Sequence, residues 1–336
     1  MANAAPAAHT LHVIGVGNAI VDVLAQSDEA FLKEHDIAKG GMTLIDEARA
    51  TSIYAAMAPA MEISGGSAAN TIACVASFGG QGGFIGKVAN DALGDIFEHD
   101  LKSLGVAFDT ARLSGGPATA RSLINVTPDA QRSMATFLGA AGEVGPTDVS
   151  PDFVASAAIT YLEGYLFEQP GARDAFAKAG ESARAAGRKL ALTLSDGFVV
   201  DRNRDALLEF IPAHVDILFA NAVEAEMLFD AAPDAIDAAA RDLCPLTAIT
   251  MSEKGSRIVP REGASVAIEA VPPSALVDTT GAGDAYAAGV LYGLALGRPL
   301  DVAGRLGSLA ASEVISHVGA RPQTSLKALA VEAGLL

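Results

Sequence analysis

Two aspartates frame the stretch whose residue types and spacing could do chemistry, Asp278-Thr279-Thr280-Gly281-Ala282-Gly283-Asp284. The threonine pair reads as an extended approach and the glycines as a turn. The small-residue run Ala285 to Gly297 reads as a helix whose first turn carries a carboxylate. A helix N-terminus offers unpaired N–H groups and the positive end of a dipole, so it seats phosphate. Gly281 and Gly283 let the backbone take positive φ and let a ligand come close. Asp284 then stands beside the place a phosphoryl group would occupy. A carboxylate there repels phosphate unless it has a task, and the fitting task is accepting the proton of an attacking hydroxyl. Taken singly, Asp278 is an ordinary turn residue and Asp284 a favourable first-turn acid. Two Gly, two Thr and two Asp in seven residues favour the phosphate reading.

Such a site needs a scaffold. At 336 residues, with half of them hydrophobic and 34 of them Gly, the chain can bury a sizeable core and make the tight turns of an α/β enzyme. A formal net charge of −17 argues against a nucleic-acid partner, although one small site can still be locally positive. Cys74 and Cys244 are too few for a disulfide framework and lack metal-ligand spacing, so buried free thiols are expected. Met1 to Thr10 reads as a disordered tail, not a signal peptide, and no charge-free apolar stretch is long enough to span a bilayer. A cytoplasmic protein with no membrane partner is expected.

Leu11 to Val16 is a short apolar strand running into Gly17-Asn18. A dinucleotide fingerprint would need a third glycine at position 20, which is Ile20, so that reading fails. Asn18 and Asp22 stand just beyond the strand's carboxyl end, where open α/β sheets put ligands; otherwise they are turn and cap residues. Glu29 to His35 is a helical patch and Met42 to Ile45 a short apolar piece. Ser64-Gly65-Gly66-Ser67-Ala68-Ala69-Asn70 opens a helix to about Phe78, either facing a ligand or simply capped. Gly82 to Val88 reads as a strand containing Gly86-Lys87, and Gln81 and Val88 exclude a P-loop. Asp91 to Gly105 is an amphipathic helix. Thr119 to Val126 and Arg132 to Leu138 form a hairpin through Thr127-Pro128-Asp129-Ala130, in which Arg132 is an exposed strand charge or reaches a phosphate.

From Ala157 onward strands alternate with helices: Ile159 to Glu163, Lys189 to Leu194 and Val215 to Phe219 are strands, with Gly171 to Ala186 the first helix. That alternation predicts a parallel sheet with right-handed crossovers. Asn221-Ala222-Val223-Glu224 is a capping box in all but its Asn. Leu246 to Thr250 and Ser256 to Val259 flank a turn, and helices Gly283 to Leu296 and Leu300 to His317 finish the core. His317 reads as a capping or packing residue.

The Asp278–Asp284 string resembles the signature of the ribokinase-like carbohydrate kinases, the phosphofructokinase-B type, which includes adenosine kinases. Asn18 with Asp22, Gly65-Gly66, the Asn-x-x-Glu at 221–224 and the closing Gly-Ala-Gly-Asp follow in the family's order along nearly the whole chain. The resemblance implies an α/β, ribokinase-like three-layer fold with a mostly parallel central sheet and a small β lid. It places one kinase domain over 11–330, with lid segments at about 19–64 and 112–140. Gly281, Ala282 and Gly283 become the anion hole, Asp284 the catalytic base and Arg132 a phosphate-approaching lid residue. Asp22 and Asn70 would hold sugar hydroxyls, with Asn18, Gly66 and Ser67 nearby. Asn221 and Glu224 would serve ATP, with Glu224 organising Mg²⁺ through water. Thr250, Ser252, Gly255 and the helix from Leu300 would wall ATP. Asp278 and Thr280 would line a monovalent-cation (K⁺) site, as in some relatives.

Several details lean toward a nucleoside. Asn18 and Asp22 match the adenosine-kinase arrangement. Thr193 to Phe198 resembles that branch's Asn-Leu-Ser-x-x-Phe. Arg132 to Ala141 resembles its lid hairpin, whose apolar residues, Leu138 among them here, meet the base. Tyr165 sits where that branch stacks an aromatic ring. Thr280, where adenosine kinases often carry Asn, points the other way. The expectation is an ATP- and Mg²⁺-dependent kinase for the 5′-hydroxyl of adenosine or a related purine nucleoside. A kinase for free ribose or fructose is the alternative, and a non-catalytic nucleoside- or sugar-binding protein a third. Monomer and homodimer both stay open, since an exposed lid edge would allow pairing.

Overall fold

The computed structural model of the chain describes residues 10–129 and 131–336. The tail expected over 1–10 lies outside the described residues except for Thr10, whose N–H donates to the Ser156 carbonyl at 2.9 Å. Ala130 of the hairpin turn also lies outside them.

The chain opens on β1 (Leu11–Val16), leaves for β2 (Ile20–Gln26), β3 (Met42–Leu44) and β4 (Met61–Gly65), and returns on β5 (Gly82–Ile85). A second excursion makes the hairpin of β6 (Ala120–Val126) and β7 (Arg132–Phe137). Then follow β8 (Ala157–Glu163), β9 (Lys189–Thr193), β10 (Ile217–Asn221) and β11 (Leu246–Thr250), and last β12 (Ser256–Pro260) and β13 (Val266–Ile268). Eight strands form the main sheet in the order β13-β12-β11-β10-β9-β8-β1-β5. It is parallel from β5 to β11; β12 and β13 add on antiparallel. The excursion strands form a second sheet, β3-β7-β6-β2-β4.

Period-two alternation along the main strands feeds two cores. Val13, Tyr161 and Phe219 pack on one face with the helices Ser67–Ser77, Ala282–Ala295 and Leu300–Val314. Ile14, Leu192 and Leu218 pack on the other with Pro170–Ala185 and Gly197–His214. This is the expected three-layer, mostly parallel α/β architecture with a small added β sheet. Ala282–Ala295 is buried all along its middle, from Ala285 to Gly293. Its small residues admit its neighbour: a Cβ on Gly289 would lie 2.4 Å from the Gly307 nitrogen.

Several boundaries differ from the sequence reading. Asp22 lies within β2, opposite Ile63 and Ser122, rather than in a turn after β1. β5 stops at Ile85, and Lys87 beyond it pairs with Asp148 at 2.8 Å. The helices Glu47–Ala56, Ile236–Leu243 and Leu326–Glu332 and the strands β4 and β13 are additional to the elements expected from the sequence. Glu47–Ala56 has almost no amphipathic pattern for the sequence to reveal, with only Ala50 and Ile53 buried.

The two sheets meet at Gly66, which joins β4 to the helix Ser67–Ser77 with φ 93°. A Cβ there would sit 2.2 Å from the Asn18 carbonyl oxygen. Gly66→Ala therefore should cost roughly 1–3 kcal/mol in urea unfolding. Gly41→Ala, where a Cβ meets nothing within 4 Å, should change stability by less than about 0.5 kcal/mol.

Candidate active site

The carboxyl ends of β1, β8, β9, β10 and β11 open into a cavity of about 560 Å³, roofed by one face of the second sheet. Of the residues singled out from the sequence, Asn18, Asp22, Gly66, Ser67, Asn70, Arg132, Leu138 and Tyr165 line it. So do Asn221, Glu224, Thr250, Thr280, Gly281, Ala282, Gly283 and Asp284. Ser252 and Gly255 are not among its lining residues. Ser252 starts a short 3₁₀ turn (Ser252–Lys254), and Gly255 closes it with φ 84°.

Gly281, at φ 80°, is the N-cap of the helix Ala282–Ala295 and puts Asp284 in its first turn. Ser67 Oγ donates to Asp284 Oδ1 at 2.6 Å, and Asn70 Nδ2 approaches Oδ2 at 3.4 Å. Thr71 Oγ1 donates to the Asp284 carbonyl at 3.2 Å, so two helix starts are bound to each other. Burial pushes the Asp284 carboxyl up to about 6 against the hydrogen bonds from Ser67 and Asn70. Near neutral pH that group is ionised yet basic enough to take a proton.

Asp22 faces the same cavity from β2. Burial pushes it up to about 6; Arg321 and then Arg132 pull it down, and Asp284 adds a small upward push. Glu163, at the end of β8, is 1% exposed and had not been singled out. It accepts from Asn18 Nδ2 at 2.5 Å, the Asn18 N–H at 3.3 Å and the Ala68 N–H at 2.9 Å. Glu163 thus ties β1 to the start of the helix Ser67–Ser77 and turns the Asn18 carbonyl away from itself. Burial, resisted by those donors, raises it to about 7.

Asn221 and Glu224 make a reciprocal capping box. Asn221 Oδ1 accepts the Glu224 N–H at 2.9 Å, and Glu224 accepts the Asn221 N–H at 2.9 Å and its Nδ2 at 2.6 Å. The capping and ligand readings are therefore compatible, because each carboxylate oxygen keeps a lone pair. Burial and the charge of Asp196 push Glu224 up to about 7, with the Asn221 N–H opposing. An uncompensated acid of this kind suits a water-shelled Mg²⁺. The monovalent-cation expectation fits less well. Asp278 accepts from Arg132 Nη1 at 2.8 Å, the Gly319 N–H at 2.9 Å and the Thr280 N–H at 3.1 Å, so both its oxygens are engaged and a guanidinium supplies the positive charge. Among the described residues, no group of three or more His, Cys, Asp or Glu could hold a metal ion alone.

Residues 50–327 match the model of the pfkB family carbohydrate kinases. The chain belongs to that family. The crystal structure of a probable sugar kinase from Rhizobium etli CFN 42 is 45% identical, with 98% of this chain and 100% of that one covered at a TM-score of 0.90. That of an adenosine kinase from Sinorhizobium meliloti is 48% identical over 96% of this chain and 99% of that one, at a TM-score of 0.88. Adenosine kinase of Saccharomyces cerevisiae is 26% identical over 92% of this chain and 96% of its own length.

Two groups in this pfkB-family kinase escaped the sequence reading besides Glu163. Arg321 follows the last core helix in Gly319-Ala320-Arg321-Pro322 and reaches Ser64 and Asn70. Nothing local marks it. Ser195 Oγ is buried without a partner on a residue at φ 69° that lines the cavity. Its serine-in-turn context gave a weak signal, which was read only as part of a longer string. His317 packs as expected, with Nε2 3.2 Å from Glu313 Oε2.

Asp22, Asp284, Glu163 and Glu224 all hold protons to higher pH folded than unfolded. The folded state therefore binds more protons between about pH 4 and 7, and stability falls as pH rises through that window. The melting temperature of the ligand-free kinase should drop from pH 5 to pH 8. Asp284→Asn should flatten that drop and melt a few degrees higher at pH 8, as scanning calorimetry would show.

Proposed function

We propose that this kinase transfers the γ-phosphoryl group of ATP to the 5′-hydroxyl of adenosine or a related purine nucleoside, giving the monophosphate and ADP. The observation that carries the reading is one cavity with two kinds of wall. Asp22, Asn70 and Asp284 line it beside Tyr165 and Phe198, whose ring centroids are 5.8 Å apart, and beside Leu24, Met134 and Leu138. A free sugar uses the carboxylates and the amide but leaves the aromatic and apolar wall idle. A nucleoside uses both, since base–aromatic stacking contributes roughly 1–3 kcal/mol per base. The adenosine kinases of Sinorhizobium meliloti and Saccharomyces cerevisiae support the choice.

In this reading Asp22 and Asn70 accept and donate to the ribose 2′- and 3′-hydroxyls and so aim the 5′-oxygen. Asp284 takes its proton as the bond to phosphorus forms. The N–H groups opening the helix Ala282–Ala295 face the charge that develops on the transferred group, and Arg132 Nη2, buried and without a partner, is a further donor. Asn221, Glu224, Thr250 and Thr280 border the nucleotide's phosphates. Mg²⁺ bound with ATP would supply charge neutralisation there, and Glu224 would hold it through water. Residues 11–330 act as one kinase domain in which the second sheet, from the segments 19–64 and 112–140, is the lid that excludes water. With ATP as donor, the reaction belongs in the cytoplasm.

A free sugar is the second reading. It is favoured by the probable sugar kinase of Rhizobium etli and by Thr280, where adenosine kinases often carry Asn. ADP release with MgATP separates the two: adenosine should saturate at low concentration while ribose and fructose give little turnover. Turnover confined to a free sugar would overturn the nucleoside assignment. In the same assay Asp284→Ala should lose roughly 10²–10⁴ in kcat with nucleoside binding largely kept. Near-normal turnover in that variant would remove Asp284 from the mechanism.

A further inference from the structure

We propose that Arg321 is a positioning residue of the acceptor subsite: bonded to Asn70 and Ser64, it fixes which way round the Asn70 amide stands. The inference rests on the reading that Asp22 and Asn70 hold the acceptor's hydroxyls.

Arg321 Nε donates to Asn70 Oδ1 at 3.2 Å, and Nη1 donates to Ser64 Oγ at 2.7 Å. A guanidinium has donors only, so the Asn70 atom turned toward it must be the carbonyl oxygen. The amide nitrogen is then turned the other way, toward Asp284 Oδ2, an acceptor when ionised. Asn70 is 6% exposed and held between a group that only donates and one that accepts. Without Arg321, the amide can rotate and offer its oxygen to a ligand that needs a donor.

Asp22 sits at the roof of the cavity, facing Arg321 from the C-terminal segment, Arg132 from β7 and Asp284 from the first turn of its helix. Of these, Arg321 opposes the burial of Asp22 most strongly. Arg321 in turn faces Asp22, Asp100 and Cys74, and its own burial holds it below the ordinary guanidinium range. Asp100 also accepts the Ser64 N–H at 2.9 Å, so the arginine, β4 and the helix Ala92–Ser103 form one bonded unit behind the substrate residues. Arg321 Nη2 is buried with no partner.

The test is isothermal titration of adenosine into the full-length protein without ATP, from pH 5 to pH 8, with kcat and KM for adenosine alongside. Arg321→Met keeps the apolar stem and removes the charge. It should weaken adenosine binding about 10–100-fold at pH 7.5, move the acid-side loss of binding to higher pH, and act mainly on KM. Arg321→Lys keeps a positive charge but replaces the planar fork that bonds Ser64 and Asn70 from two nitrogens with a single, shorter-reaching ammonium. It should weaken binding about 3–10-fold while leaving the acid-side midpoint near that of the wild type. Unchanged affinity and midpoint in Arg321→Met would overturn the proposal. Should that variant fail to fold, wild-type affinity in Arg321→Lys would overturn it equally. If the wild type neither binds nor phosphorylates adenosine, the nucleoside reading falls instead, and the same titrations are run with the acceptor that ADP release identifies.

Discussion

The site depends on one costly arrangement, a carboxylate buried in the first turn of a helix. Asp284 loses hydration and keeps only Ser67 Oγ at 2.6 Å and a long contact to Asn70 in exchange. The helix dipole helps it, but burial in the surrounding fold still raises its carboxyl to about 6. The structure tolerates this because the helix behind it is locked by close packing on Leu300–Val314 and on Ser67–Ser77, which explains the run of Ala and Gly from Ala285 to Gly297. Larger side chains there would push the helix outward and take Asp284 with it.

Around that carboxylate the charges are unequally matched. Asp22, Glu163, Glu168, Asp196, Glu224 and Asp284 line the cavity, with Arg132 the one cationic side chain among the lining residues. A lining this acidic repels phosphate groups, whereas an uncharged molecule enters it without that penalty. The two arginines then divide the work by position. Arg132 comes from β7 in the second sheet and reaches the Asp278 carboxylate in the loop before the helix. Arg321 stands behind Asn70, bonded to it and to Ser64. The first links the two sheets across the cavity; the second braces the wall.

Much of this was legible in the sequence wherever the cause is local. Turn chemistry and period gave the parallel run β8 to β11, the hairpin of β6 and β7, and the helix opened by Gly281. The capping box at Asn221 and Glu224 was readable because its partners are three residues apart. Reading failed where pattern is weak or cause is distant. Met61–Gly65 and Val266–Ile268 are short edge strands whose pairing, not composition, makes them strands. Asp22 looked like a turn acid because the chain changes sheets between Gly17 and Ile20, and nothing in a string of residues announces a change of sheet.

By itself the sequence determined where phosphate chemistry could occur, since Asp278 to Asp284 carries its own turn, its own helix start and its own carboxylate within seven residues. It also determined the order of strands and helices that brings that stretch to the end of a parallel sheet. Only the tertiary structure decided what surrounds it. Glu163 meets the Ala68 N–H from 95 residues away, and Arg321 meets Asn70 from 251 residues away. A buried glutamate at a strand end and an arginine after the last core helix have no meaning until the fold removes water from around them. Burial turns an ordinary charge into one that must find a partner, and burial is a property of the folded whole.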